Sequence, residues 1–163
     1  YPENYLQYED YIGTYTATVD DYDEGPTSQS VTITPKVRGE SYTLKSIGGF
    51  NFTLLYDKAS GKLILDSQSI SPVSSSSYYF ACAAGVEGYA HTELSLPSRL
   101  RSGLVNVTAN TNPFTFYFAD KASQENTLLI IWAYSSDEYS TSGLMGYWSW
   151  YNSILMEKEN EGN

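Results

Sequence analysis

The apolar positions of this chain recur with a period of two. From Tyr11 to Val19 the odd positions are Tyr11, Gly13, Tyr15, Ala17 and Val19, and the even ones are Ile12, Thr14, Thr16 and Thr18. In an extended strand successive side chains point to opposite faces, so each set lines one face. The period returns at Val31, Ile33, Pro35 and Val37, and again at Phe50, Phe52, Leu54 and Tyr56. Pro35 has no N–H to give a ladder, which predicts an edge position or a bulge there. Further strand-like runs are Tyr42–Ile47, Leu63–Ile70, Tyr78–Val86, Leu104–Thr108, Phe114–Ala119, Leu128–Tyr134 and Tyr147–Glu157. Helical periodicity is nearly absent.

Turn chemistry separates these runs. Tyr56-Asp57-Lys58-Ala59-Ser60-Gly61-Lys62-Leu63 reads as a hairpin: Asp57 suits the backbone N–H groups of the turn and Gly61 the left-handed conformation of a bulge. Gly48-Gly49, the Ser-rich Ser71–Ser77 and Ser135–Gly143 are loops. Glu87–Arg101 fits a short strand with an irregular crossover, or one helical turn near Ser98. Nine or ten strands at meander spacing predict an all-β antiparallel barrel, with a two-sheet β-sandwich as the alternative. No repeat signals a propeller or solenoid.

The length of 163 residues fits one domain and a real core. The expected division is an N-terminal arm or linker over 1–10, a barrel over 11–158 and a frayed tail over 159–163. The chain opens on Tyr1-Pro2 without an initiator Met, which reads as a mature or trimmed piece of something longer. Only 17% of residues are charged, and 16 are Tyr; this is the profile of ordered β-structure rather than disorder.

A net charge of -10 argues against nucleic acid and against anionic membrane surfaces. No apolar run is long enough for a transmembrane helix. Cys82 is the single cysteine, set between Ala81 and Ala83, and is expected buried and inert.

The richest chemistry lies in GYWSWYNSILMEKE, Gly146–Glu159. Strict alternation puts Trp148, Trp150, Ile154 and Met156 on one face, expected inward. Tyr147 and Tyr151 fall on the other, where sugars stack on exposed rings. The candidate ligand-binding residues are therefore Tyr147, Tyr151, Trp148, Trp150 and Trp132. Phe114, Phe116 and Phe118, with Trp132 and Tyr134 after them, form a second stripe expected mainly in the core.

No catalytic residue, metal site or cofactor is assigned. The acidic loop Asp20-Asp21-Tyr22-Asp23-Glu24 lacks EF-hand spacing and reads as solvated. His91 is the lone histidine, with Glu87 and Glu93 near it, too few ligands for zinc. No Gly-x-Ser-x-Gly elbow occurs. Among Asp57, Asp66, Glu87, Glu93 and Asp120 no spacing singles out a glycosidase pair.

Gly13-Thr14-Tyr15, shortly after Tyr11-Ile12, resembles the Gly-x-Trp start of lipocalins and other calycin barrels, with Tyr15 standing for the tryptophan. The Tyr56–Leu63 hairpin followed by Gln68 resembles hairpins of lipocalin-like modules in Bacteroidetes surface lipoproteins. The resemblance covers the layout from Tyr11 to Glu157. It implies a calycin-like barrel with a periplasmic or cell-surface address, often with a role in glycan capture. The expected function is a non-catalytic module that takes a glycan or small apolar ligand. The alternative is a structural or interaction domain of a larger surface lipoprotein, with other domains of the same chain as partners.

Overall fold

The computed structural model describes residues 6–84, 106–108, 113–118 and 129–159. Its strands are β1 (Gly13–Asp21), β2 (Gly25–Val37), β3 (Ser41–Ile47), β4 (Phe50–Asp57), β5 (Lys62–Ile64), β6 (Gln68–Pro72), β7 (Tyr79–Ala84), β8 (Asn106–Thr108), β9 (Thr115–Tyr117), β10 (Leu129–Tyr134) and β11 (Leu144–Lys158). The order around the sheet is β1-β2-β3-β4-β6-β7-β10-β11, and β11 pairs back onto β1. All pairings are antiparallel. The result is a closed eight-stranded barrel, not a sandwich: closure leaves the central strands no open edge. β5 pairs with β4, and the β8–β9 ribbon with β11, outside this ring.

Alternation, read from the sequence for β1 and β4 and present also in β7, builds the interior. Tyr15, Ala17 and Val19 from β1, Phe50, Phe52 and Leu54 from β4, and Phe80, Cys82 and Ala84 from β7 all join one buried cluster. Phe116, Phe118, Ile154 and Met156 belong to it too. An eight-stranded barrel is just wide enough to be filled by side chains or to hold one small ligand. Here Tyr15, Tyr42, Phe52, Phe80 and Phe116 are each at 2% exposure or below, so among the described residues the inward positions act as core.

Local signals hold as well. Asp57 Oδ1 accepts from Ala59 N–H at 3.0 Å, and Gly61 turns at φ 72°. The β2–β3 ladder slips between Pro35 and Val37, the bulge that Pro35 predicts. Cys82 is buried, and desolvation pushes its thiol pKa up to about 12.

One end of the barrel is closed by tyrosines. The stretch before β1, expected as an arm, makes a 3-10 turn over Tyr8–Tyr11, and Gln7 N–H donates to Asp10 Oδ2 at 2.7 Å. Tyr8 stacks on Tyr42 with centroids 4.4 Å apart. The Tyr8 hydroxyl donates to Ser41 O, Tyr11 to Gly61 O, Tyr15 to Tyr11 O and Tyr42 to Tyr8 O, at 2.6–2.8 Å. Buried hydroxyls must find acceptors, and these choose backbone carbonyls. The opposite end carries the β1–β2, β3–β4, β6–β7 and β10–β11 loops.

Strict alternation fails in β11. Opposite β1, Val19 pairs with Ile154 but Asp21 pairs with Tyr151, so β11 holds an extra residue around Asn152–Ser153. Opposite β10, Ile131 pairs with Ser149 and Trp132 with Tyr147, which leaves Trp148 as a second extra residue. A third slip passes over Met145. Each bulge inverts the phase of the side chains beyond it. Ile154 and Met156 point inward as expected, but the expected inward placement of both tryptophans is corrected: Trp148 is 54% exposed and Trp150 lies half-buried on the outer face. Tyr151, expected outward, is the ring that enters the core. Trp132, expected mainly in the core, is only half-buried; it alternates with the inward Ile131 and Ala133 and so faces outward.

His91, Glu87, Glu93, Asp120, Arg99 and Arg101, the Glu87–Arg101 crossover and the tail 160–163 lie outside the described residues.

Candidate functional site

The ring-bearing candidates separate into a group on the outer face, a ring at the loop-end mouth and a ring in the core. Trp132 and Tyr147 are cross-strand partners on β10 and β11, with centroids 6.4 Å apart and planes at 88°. Tyr147 meets Trp150 at 5.4 Å and 78°. Trp150 meets Tyr22 at 5.0 Å and 30°. These four rings make a ladder across β10, β11 and the end of β1. Perpendicular and tilted aromatic pairs of this kind hold ring orientation beyond simple area burial.

Tyr22 enters this group through the backbone. Its N–H donates to Trp150 O at 2.8 Å, extending the β1–β11 ladder past the bulge. Asp21 Oδ1 in turn accepts from the N–H groups of Asp23 and Glu24 at 2.8 and 3.1 Å, which closes the turn. The Asp23 carboxylate then accepts the Tyr147 hydroxyl at 3.1 Å. That hydrogen bond is the main reason the Tyr147 pKa lies above the ordinary tyrosine value. The acidic loop is therefore a support for the ring ladder. Among the described residues no group of three or more His, Cys, Asp or Glu side chains converges as for a metal ion.

The Trp150 indole N–H is buried and meets no hydrogen-bond acceptor among the described residues. An unmet buried donor costs about 1–3 kcal/mol.

Trp148 is separate. As the bulge residue its ring leans over the mouth, 5.3 Å from Phe80 and 6.3 Å from Tyr78. Tyr151 lies below it in the core, at 4% exposure, and burial raises its hydroxyl pKa. Gly48 sits against the Tyr151 hydroxyl with φ +60°, in the space a Cβ would occupy. Gly48→Ala is expected to cost about 1–3 kcal/mol. Adding Tyr151→Phe should return part of that loss, because the clashing oxygen is gone. A double-mutant cycle in urea checks this; strictly additive losses would show that the two residues do not touch.

Exposure is strongly one-sided. Large hydrophobic residues exposed among the described residues are Tyr22, Val37, Val73, Tyr78, Tyr79, Met145, Tyr147 and Trp148. All but Val37 lie in or beside the loops of the open end. Sequence reasoning named Trp132, Tyr147 and Trp150, which the structure brings together, but missed Tyr22. Its one signal was an aromatic ring set among four acids.

No helix of the described chain is long and apolar enough to cross a membrane. No curated protein and no solved structure gives a significant match. A family model matches residues 1–132, a span that includes Tyr22 and Trp132 and stops before β11. With that share of its length matched, the chain belongs to the family DUF4987, a domain of unknown function.

Proposed function

We propose that this domain is a non-catalytic recognition module that binds carbohydrate across its open end, on the ladder of Tyr22, Trp150, Tyr147 and Trp132 and the neighbouring Trp148. The observation that carries this reading is the gathering of exposed rings at one end of a barrel whose inward positions are core. Exposed contiguous apolar surface on a folded domain marks a binding site. Rings braced by neighbours and by a carboxylate present fixed faces to the C–H surfaces of a sugar, and nearby acids accept its hydroxyls. A filled core favours a ligand at the rim over a small apolar ligand inside. A periplasmic or cell-surface address, as part of a larger lipoprotein, goes with this proposal.

The test is a panel of glycans and small apolar ligands read by tryptophan fluorescence. Tyr147→Ala should weaken glycan binding at least tenfold, on the order of 1.4 kcal/mol, in a domain that thermal melts show to be still folded. Val73 and Met145, at 58% and 54% exposure, are aliphatic and add little to sugar stacking. They favour the second reading, docking onto another domain of a longer surface protein. Absence of a spectral change with every ligand would select that reading.

A further inference from the structure

Two consecutive residues of β11 send exposed rings to opposite sides of the barrel rim. Tyr147 belongs to the outer face, where Trp132, Trp150 and the Asp23 carboxylate brace it. Trp148 is the residue that the β10–β11 ladder leaves unpaired. That bulge carries its ring over to the inner side of the mouth. There the core ring of Phe80 meets it edge-on at 5.3 Å and 77°, and Tyr78 lies 6.3 Å away. Trp148 is 54% exposed, Tyr147 40% and Tyr78 39%. Among the described residues no ring contact joins the inner set to the outer one.

Each set is therefore braced by its own neighbours and offers its own open ring. Consecutive Cα atoms are about 3.8 Å apart, so a single backbone step separates the supports of the two rings. One pyranose lies flat on one aromatic face and cannot cover rings that look to opposite sides of a strand. A chain of sugars that passes over the rim can. The rim is low beside them: Gly146, at φ +135°, has no side chain, and a Cβ placed there would meet no atom within 4 Å among the described residues. A glycine within a strand leaves room for close approach to the backbone.

Resting on the carbohydrate reading above, we infer that the open end holds two glycan subsites, an outer one on Tyr147 and an inner one on Trp148 with Tyr78, and that the domain takes a glycan chain crossing the β11 rim rather than a single sugar. Once one subsite is filled, the other is reached by the same molecule at high effective concentration, so affinity climbs with chain length until both are occupied.

The experiment titrates cello-, xylo- and malto-oligosaccharides, each as mono-, di-, tetra- and hexasaccharide, by tryptophan fluorescence and calorimetry. In at least one series the hexasaccharide should bind at least tenfold tighter than the disaccharide. Trp148→Ala should remove that gain and leave disaccharide affinity within about twofold, because the outer subsite is intact. Trp148→Phe keeps a ring at the bulge and should retain most of the gain. Tyr147→Ala should weaken every length. Thermal melts check that each variant is folded.

Affinity that does not rise with length overturns the inference and leaves the carbohydrate reading standing. So does a rise that survives Trp148→Ala, or a Trp148→Ala loss equal for the disaccharide and the hexasaccharide. Absence of binding in all three series overturns both.

Discussion

Raising the pH above 10 should destabilise this barrel steeply, with about 6 kcal/mol of its stability gone by about pH 11. The cause is the tyrosine-closed end. Tyr11 and Tyr15 are at 0% exposure, and burial drives their hydroxyl pKa values far above the ordinary value of 10. Each hydroxyl donates to a backbone carbonyl, a bond that a tyrosinate has no proton to make. The folded pKa values are raised, so their contribution to stability is complete below the unfolded value and is lost as pH climbs toward the folded one. Each such group removes about 1.4 kcal/mol per pH unit above 10.

Cys82 acts earlier, because its thiol moves from 9.0 in an exposed setting to about 12 in the core. The three groups together take about 6 kcal/mol by pH 11. Buried Tyr42, whose pKa is raised mainly by desolvation, adds to this. A domain of this kind holds about 5–15 kcal/mol in total. Urea titrations from pH 8 to 11 with tyrosinate absorbance measure the loss. Cys82→Ala should abolish the part that begins between pH 9 and 10. A stability that stays level through pH 11 would show that these hydroxyls are solvated.

Phe116→Ala should cost about 3–5 kcal/mol, the range for removing a fully buried aromatic side chain. Phe116 is at 0% exposure and joins three elements. Its ring lies 5.5 Å from Tyr11 of the N-terminal turn, 5.6 Å from Tyr15 of β1 and 5.4 Å from Phe118. The ribbon that carries it is short and pairs with β11 from Thr115 to Tyr117. Side-chain packing, more than ladder bonds, therefore holds that ribbon down. Truncation leaves a cavity that the rigid barrel closes poorly, whereas Phe116→Leu should cost under about 1.5 kcal/mol. Urea unfolding reads both. A loss below 1 kcal/mol for the alanine variant would mean that the β8–β9 ribbon does not seal this end.

The site was legible in part. Trp132, Tyr147 and Trp150 stand out as aromatic residues in strands, and β-pairing does bring them together. Tyr22 stayed hidden because its neighbours in sequence are acids that say only that the turn is solvated. Its ring finds Trp150 through the β1–β11 closure, a contact between residues far apart in the chain. Trp148 was misplaced for a different reason. Its exposure follows from an unpaired residue in β11, and bulges of this kind leave no mark in a run of aromatic and small polar residues.

Sequence alone determined the all-β character, most of the strands, the alternating faces of β1 and β4, the burial of Cys82 and the Asp57 hairpin, though it ran β5 and β6 together as one strand, Leu63–Ile70. These rest on near-neighbour rules: a two-residue period and the turn preferences of Asp and Gly. The barrel was the expected fold, but only the tertiary structure ruled out the sandwich and fixed which strands close the ring, that the N-terminal tyrosines seal one end, and that β11 turns its indoles outward. Closure depends on register between the first and last strands. One extra residue there inverts every side chain beyond it, at little cost to the local pattern.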